Sequence, residues 1–266
     1  MNNTIKYRIS VIMAVYNCAN TLPEALDSLL SQTYQNFKVI ICDDASTDNT
    51  YEIAKKYVDL YPEKFMLIKN EINKKLAASL NKCLEHVDTE YVARMDGDDI
   101  SLPTRFQKQI NFLDQHPEYA LVSNPMVYFD EEGDFKIGKA HGAVNKYNFI
   151  KGSPFCHATT MIRKESLDSV NGYSIEYDRC QDYELWFRLY AKGYIGYNLQ
   201  EPLYKMRDDR HAVSRRKFKY RIVEAKIRLK GYKLLDLPFY SNFYVLKPIL
   251  IGLLPLPLYN FLHKKF

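Results

Sequence analysis

Two hydrophobic patterns alternate along roughly the first hundred residues. Short, nearly continuous apolar runs, typical of strands buried in a parallel sheet, alternate with segments whose apolar residues recur at helical spacing. Such alternation predicts β-α-β units and a mainly parallel sheet. Strands are expected at 9–16, 37–42, 65–68 and 91–95, and helices at 22–32, 48–61 and 76–87.

Beyond Pro103 the pattern is mixed. It predicts a helix to about residue 115, strands at 119–129 and 135–138, and a helix with one aromatic face at 181–191. A strongly basic helix is expected at 214–233, followed by a very apolar tail at 239–262.

Acidic residues follow two of the predicted strands. Asp43 and Asp44 end the second strand, and the sequence Asp-Gly-Asp-Asp at 96–99 ends the fourth. Open parallel sheets bind their ligands at the carboxyl ends of strands. Three carboxylates so close together require a cation or an arginine among them, and oxygen ligands on a short turn suit Mg²⁺ or Mn²⁺ held together with phosphate. A solvated acidic turn is the alternative.

Another carboxylate, Asp182, stands at the predicted start of the helix at 181–191. The helix dipole favours its ionised form, and an ionised, positioned carboxylate can accept a proton from an attacking hydroxyl. Helix capping is the alternative role. The sequence has no Gly-x-Ser-x-Gly elbow, no P-loop and no dinucleotide fingerprint, and its histidines are not at metal-site spacing.

Charge is distributed unevenly along the chain. The net charge is +5, but the segment 205–233 holds 12 basic and 3 acidic residues. This asymmetry indicates an anionic partner for the C-terminal part. The five cysteines are scattered and include no Cys-x-x-Cys pair, and the N-terminal segment does not read as an export signal. We therefore expect a reducing, cytoplasmic location.

In this order, these segments resemble the family-2 glycosyltransferases of the A-type (GT-A) fold. The resemblance runs from about residue 10 to about residue 207 and includes Gln181-Asp182, where the family has Glu-Asp. It implies an α/β fold with a Rossmann-like nucleotide-sugar-binding domain, a mainly parallel central sheet and a C-terminal helical tail. The segments that carry it in register are Ser10–Asn17, Leu29–Tyr34, Asp43–Asp48, Leu76–Asn81 and Met95–Asp99.

The resemblance also implies a domain organisation and a reaction. A catalytic domain would cover 1–210, with a nucleotide-binding half at 1–100 and an acceptor-binding half at 101–210, and a membrane-associating tail would cover 211–266. The reaction would be an inverting transfer of a sugar from a nucleotide-diphosphate sugar, most commonly a UDP-sugar, to an acceptor hydroxyl. Mg²⁺ or Mn²⁺ would neutralise the departing nucleotide diphosphate.

Functional positions of the family carry over to particular residues. The backbone of Ala14, together with Tyr16 and Asp44, would hold the nucleotide base, with Tyr16 stacked on it. Asp96 would contact the ribose or the metal, and Asp98 would bind the metal.

The general base of the family corresponds to Asp182. Lys75 would lie beside the nucleotide-sugar, at a position where the family usually has glycine, and could alter contact with the phosphates. For one acceptor-side residue, His157, a buried hydrogen-bonded role is the alternative. The residues expected on the acceptor side are His157, Trp186 and Arg207.

Within the family, the likeness is greatest to bacterial enzymes of capsule and exopolysaccharide assembly, on the segments 93–101, 154–157 and 215–221. It implies an acceptor that is a glycan or is carried on polyprenyl diphosphate. The apolar stretch 249–262 contains two prolines and is shorter than the ~20 residues that a membrane-spanning helix needs. We therefore expect peripheral binding to anionic lipids at the inner face of the cell membrane. A tail packed on the catalytic domain is the alternative.

Two other functions compete with this interpretation. One is a regulatory protein that keeps the GT-A fold and acts on a protein partner through its basic C-terminal face. The other is a nucleotidyltransferase, which is disfavoured because no glycine-rich loop bearing Lys or Arg follows the first strand. Nucleic acid is not among the expected partners.

Overall fold

Strands and helices alternate in the first part of the chain, as predicted. The computed structural model describes residues 7–208, 210 and 217–255. Its first seven elements are β1 (Ile9–Val15), α1 (Leu22–Leu30), β2 (Phe37–Asp43), α2 (Thr50–Leu60), β3 (Phe65–Lys69), α3 (Lys75–Leu84) and β4 (Tyr91–Arg94).

The remaining elements are shorter on average and more varied. Three 3₁₀ helices accompany them, at Lys146–Ile150, His157–Thr159 and Phe239–Val245. The strands and α-helices are β5 (Ile100–Ser101), α4 (Arg105–Gln115), β6 (Tyr119–Ser123), β7 (Val127–Asp130), β8 (Gly133–Ile137), β9 (Gly142–Val144), β10 (Met161–Arg163), α5 (Lys164–Ser169), α6 (Gln181–Ala191), β11 (Ile195–Asn198), β12 (Tyr204–Arg207), α7 (Phe218–Leu234) and α8 (Lys247–Leu253).

The strands form two sheets. The larger sheet has the order β3-β2-β1-β4-β10-β6-β11-β9. Six of its eight strands run in the same direction, and only β10 and β9 are antiparallel to them. The smaller sheet has the order β5-β12-β7-β8. The predicted mainly parallel central sheet is therefore confirmed.

The strand predicted at 119–129 is in fact two strands, β6 and β7, which belong to different sheets. Pro125 lies between them and has no N–H to donate to a ladder. The side-chain amide of Asn124 donates, through Nδ2, to the Pro125 carbonyl oxygen over 2.8 Å, and this hydrogen bond fixes the bend. The chain thus leaves the large sheet here, although the hydrophobic pattern continues.

Helices cover both faces of the large sheet. Along β1, Val11 and Met13 point to the face covered by α1, α2 and α4. Ile12 points to the opposite face, which is covered by α3, α6 and α7. This alternation is the one expected for a strand buried on both sides.

The predicted basic helix is observed as α7, whereas residues 214–216 lie outside the described part of the chain. It packs on α6 so closely that a methyl group on Gly231 would lie 2.4 Å from the Phe187 ring. Arg221 and Arg228 are buried. Arg228 donates to the carbonyl oxygen of Ile150 over 3.0 Å. These two arginines therefore lie inside the fold, and the basic surface is narrower than the sequence indicated.

The predicted apolar tail is described as far as residue 255. It forms the 3₁₀ helix at Phe239–Val245 and then α8, and residues 256–262 lie outside the description. Over the ranges described, none of the helices combines the length and the apolar character needed to cross a bilayer.

Candidate active site

The carboxyl ends of β1, β2 and β4 meet at one edge of the large sheet, because these strands are parallel neighbours. Ala14 lies near the end of β1, and Tyr16 follows that strand with 49% of its surface exposed. Asp44 follows β2, and Asp96 lies two residues beyond β4. The residues that the sequence predicted to bind the nucleotide-sugar donor thus lie at one edge of the sheet.

The loops after β1 and β2 are joined by hydrogen bonds. The backbone N–H of Asn17 donates to the Ser46 hydroxyl over 3.1 Å, and that of Thr47 donates to the Asn17 side-chain oxygen over 2.9 Å. Asp48 accepts from the Thr50 backbone N–H over 3.0 Å and so closes the turn just before α2, whose N-cap is Asn49. This network holds the exposed Tyr16 ring at the rim of the edge.

Asp44 is buried, with 4% of its surface exposed. Its Oδ1 accepts from the Asn70 side chain and from the backbone N–H of Lys74, both over 2.8 Å. Its Oδ2 accepts from the backbone N–H of Lys75 over 2.9 Å. Asp44 therefore fixes the loop that leads into α3. Its neighbour Asp43 accepts from the Ser46 backbone N–H over 3.2 Å, as a turn residue does.

Lys75 adopts a backbone conformation that favours glycine, with a φ of +72°. Residues with a Cβ pay a steric cost there, whereas glycine does not. The glycine usual at this position in the resembled family is thus explained by the backbone. In this chain the Asp44 carboxylate and the Lys75 N–H hold the strained conformation.

The turn at 96–99 sits on the loop after β1. Thr21 donates its hydroxyl hydrogen to the Gly97 carbonyl oxygen over 3.0 Å. A methyl group on Gly97 would lie 2.9 Å from Cys18 Sγ and 3.0 Å from Val15 Cγ1. Gly97 is therefore required for the turn to lie against β1.

The three carboxyl groups of the turn have different surroundings. Asp96 pairs with the buried guanidinium of Arg94. Asp98 is exposed, yet the surrounding protein and the Asp96 carboxylate raise its pKa. Asp99 is buried, and burial followed by repulsion from Asp96 and Asp98 raises its pKa to about 7. The negative charge that the sequence indicated is thus concentrated at one place.

The turn is also held from the smaller sheet. The backbone N–H of Arg207, the last residue of β12, donates to Asp99 Oδ1 over 2.8 Å. The Arg207 side chain donates to the Asp98 carbonyl oxygen over 3.0 Å and pairs with Glu24. Arg207, predicted on the acceptor side, therefore buttresses the acidic turn.

The residues present fit a divalent cation bound together with a diphosphate. Asp96 and Asp98 offer hard oxygen ligands and repel each other, and a cation between them would remove that repulsion. Among the described residues no group of three or more His, Cys, Asp or Glu side chains is arranged to hold a metal. Mg²⁺ needs only one or two protein carboxylates when phosphate and water complete its shell.

On the other side of β4, the antiparallel strand β10 brings the 3₁₀ helix at His157–Thr159 to the same edge. His157 Nε2 and the Tyr173 hydroxyl are 2.9 Å apart. Burial, followed by the nearby Arg94 cation, lowers the pKa of His157, which is therefore neutral. This histidine is thus half-buried and hydrogen-bonded, and its place on the acceptor side stays a prediction.

Asp182 is half-buried in the first turn of α6. Burial and then the Asp182 carboxylate raise the pKa of Cys156 to about 11. Burial raises the pKa of Tyr173, Arg94 lowers it, and Asp182 and Asp96 raise it further. Tyr173 therefore lies within electrostatic reach of both the candidate base and the acidic turn.

Trp186, predicted on the acceptor side, is fully buried in the core. Its ring meets that of Phe155 edge-on at 5.7 Å. Its indole N–H has no hydrogen-bond partner within the described ranges. Because α6 is buried on nearly every side, including at Gln181 and Glu184, its aromatic spacing could not separate core positions from site positions.

Known proteins resemble this chain in sequence and in fold. The model of the family described as glycosyl transferase family 2 matches residues 10–170. The putative glycosyltransferase EpsE of Bacillus subtilis (strain 168) is 44% identical over 260 residues, covering 97% of this chain and 94% of that protein. The chain belongs to glycosyl transferase family 2.

Two further similarities bear on this family-2 chain. The Escherichia coli protein WfaP, named UDP-Glc:alpha-D-GlcNAc-diphosphoundecaprenol beta-1,3-glucosyltransferase, is 32% identical over 223 residues, 82% of this chain and 84% of that one. The mannosyltransferase PcManGT from Pyrobaculum calidifontis, solved with GDP-Man and Mn²⁺, superposes with a TM-score of 0.65 at 19% identity, covering 98% of this chain and 80% of that one. The fold is the GT-A fold that the sequence predicted.

Two buried arginines of this family-2 site were missed by the sequence analysis. Arg94 ends an apolar strand, and a charge in such a position must find a partner, which was a usable signal. Arg105 donates to the carbonyl oxygens of Arg94, Ala158 and Thr160 over 2.8, 3.3 and 3.4 Å, and burial lowers its pKa to about 10. It thereby ties the end of β4 to the segment that carries His157. Nothing in its sequence surroundings indicated this role.

Proposed function

We propose that this family-2 enzyme transfers a sugar from a UDP-sugar to a hydroxyl group of a lipid-linked glycan, with inversion, during assembly of a surface polysaccharide. The observation that carries the proposal is that Tyr16, Asp44 and Asp96 meet at one edge of the sheet, while Asp182 and Asp96 both lie near enough to Tyr173 to raise its pKa. The names of relatives support its finer parts. WfaP is named for a UDP-sugar donor and a diphosphoundecaprenol-linked acceptor.

The donor would lie across the ends of β1, β2 and β4. Tyr16, exposed at the rim, would stack on the base. The loop held by Asp44 would border the nucleotide, and Lys75 within it would lie near the phosphates. Asp96 and Asp98 would hold Mg²⁺ or Mn²⁺, which neutralises charge on the leaving diphosphate when it is bound.

The acceptor would approach from the side of α6. Its oxygen forms a bond to the anomeric carbon as the bond from that carbon to the β-phosphate oxygen breaks. The proton of the acceptor hydroxyl passes to the Asp182 carboxylate, which lies in the first turn of α6, where the helix dipole favours a negative charge. The nucleoside diphosphate leaves with the electron pair, and a single displacement inverts the configuration.

Calorimetric titration with UDP, GDP and dTDP, each with and without Mn²⁺, tests the donor site. GDP is included because a protein of the same fold was solved with GDP-Man. We expect Mn²⁺-dependent binding of UDP that Asp98→Ala weakens at least about tenfold, since a lost contact to a charged group is worth ~1.5–3 kcal/mol. Asp88→Ala is the matched control, because this exposed carboxylate precedes β4 at the opposite edge of the sheet.

Measuring sugar transfer as well as UDP binding separates the role of the general base from that of the donor site. Asp182→Asn is expected to retain UDP binding and to lose transfer to a diphosphoundecaprenol-linked acceptor by about 10²-fold or more. Transfer at the wild-type rate would remove Asp182 from the mechanism. If no nucleotide binds to folded protein, the donor site is refuted. The regulatory alternative is not favoured, because the acidic residues come together as a donor site requires.

A further inference from the structure

The C-terminal helices present an unusual outer surface. Four large apolar side chains, spaced three, four and three residues apart, are 52–71% exposed. We call them the apolar stripe: Phe243, Leu246, Leu250 and Leu253. Phe239, just before them, is 82% exposed. Contiguous exposed apolar surface of this kind marks an interaction site.

Two residues of the stripe, Leu250 and Leu253, belong to α8, whose other side is docked on the protein. Pro248 is buried, and Gly252 lies so close to the Phe218 ring of α7 that an added methyl group would be 2.8 Å from it. The exposure of the stripe therefore follows from how α8 packs. Behind and beside the stripe, an open apolar groove of about 380 Å³ is lined by Phe243, Tyr244, Lys247, Leu250, Ile251 and Leu254.

Exposed Lys247 lines the groove beside the stripe, and further exposed lysines lie on α7. The exposed face of α7 begins at Phe218, which contacts α8, and continues with Ile222, Lys226, Leu229 and Lys233 at helical spacing. Lys226 and Lys233 have no carboxylate partner within the described part of the chain. The lysine-bearing face and the stripe therefore lie on two helices, α7 and α8, that pack against each other.

We propose that this surface lies in the headgroup region of an anionic bilayer, with the stripe inserted between the lipids and the α7 lysines on their phosphates. Lysine is depleted from the cores of protein interfaces, whereas lysine beside leucine and phenylalanine is typical of helices that lie on membranes. The seven residues of α8 rise only about 10 Å, so the segment lies at the surface of the bilayer. The proposal deepens the proposed function, in which the acceptor is carried by a membrane lipid.

Co-sedimentation of the full chain with vesicles tests this surface without donor or acceptor. Vesicles of phosphatidylcholine alone are compared with vesicles that also contain phosphatidylglycerol. Leu250→Ser with Leu253→Ser is expected to weaken binding to anionic vesicles at least tenfold. Each substitution removes an apolar side chain whose transfer from water into the bilayer favours binding. The matched control is Leu60→Ser with Ile72→Ser, which removes two equally exposed apolar side chains elsewhere.

A charge variant tests the lysines separately. Lys226→Glu with Lys233→Glu is expected to weaken binding to anionic vesicles about tenfold or more, and salt should weaken wild-type binding. The control is Lys55→Glu with Lys56→Glu on α2, where both lysines are exposed. Equal losses in the control variant would overturn the proposal.

Two other results would also overturn it. One is vesicle binding by the stripe variant at the wild-type level. The other is a dimer of the wild-type chain that the stripe variant converts to a monomer while vesicles bind neither, which would make a second copy the occupant. Asp98→Ala should bind vesicles as the wild type does, so failure of the donor site and failure of this surface are distinguishable. Urea unfolding confirms that each variant is folded.

Discussion

Replacing Gly97 by alanine adds one methyl group at the centre of the acidic turn. That methyl carbon would lie 2.9 Å from Cys18 Sγ and 3.0 Å from Val15 Cγ1, both closer than van der Waals contact. Val15 is buried at the end of β1 and cannot move aside. The turn must therefore lift, and Asp96 and Asp98 must lift with it.

Overpacking of this kind typically costs about 1–3 kcal/mol of unfolding free energy. Urea denaturation measures that cost, and calorimetry with UDP and Mn²⁺ measures the displacement of the carboxylates. We expect Gly97→Ala to lower both stability and affinity. Gly152→Ala is the control, because its nearest neighbour, Arg228 Nη2, is 3.9 Å away and nothing needs to move.

A double-mutant cycle with Cys18→Ala tests the cause. Removing the sulfur removes the 2.9 Å contact, so the double variant should be more stable than the sum of the single changes predicts. Rescue will be partial, because the Val15 contact remains. Gly97→Ala with wild-type stability and affinity, or a cycle with no coupling, would refute this account of the turn.

Two further predictions concern the free energy of unfolding and its dependence on pH. Lys75→Gly is expected to raise the unfolding free energy by up to about 1 kcal/mol, because relief of the positive φ outweighs the added freedom of the unfolded chain; a loss in urea denaturation would contradict this. The pKa of Asp99 is raised to about 7, so the native state binds more protons than the unfolded state between its ordinary pKa and about pH 7. Its contribution to stability therefore falls as pH rises through that window. Asp99→Asn, measured in urea without divalent cations, should flatten this decline, and an unchanged slope would contradict it.

Local patterns predicted much of the fold. The alternation along β1 to β4 fixed the parallel half of the sheet, because buried strands and one-sided helices have different periods. The strand β10 was not predicted, since its three residues, Met161–Arg163, are too few to show a period. Its position between β4 and β6 depends on pairing with strands far away in the sequence.

In the candidate site too, features with a local sequence pattern could be predicted, and features that depend on distant contacts could not. Acidic residues after strands could be found because they interrupt an apolar pattern at a fixed place. The roles of Arg207 and Tyr173 depend on contacts between distant segments and left no local signal. Trp186, expected on the acceptor side, is fully buried in the core, and its local sequence does not distinguish a buried aromatic residue from an exposed one.

The hydrogen bond from Arg207 to Asp99 joins residues 108 positions apart. While the chain is being synthesised, the acidic turn must wait for β12 to leave the ribosome before its buried carboxyl group gains this donor. A fragment that ends before β12 would contain the acidic turn of the donor site but would lack the Arg207 hydrogen bond that holds it. Chimaeras that exchange acceptor halves between relatives should therefore transfer β5 and β12 as a pair.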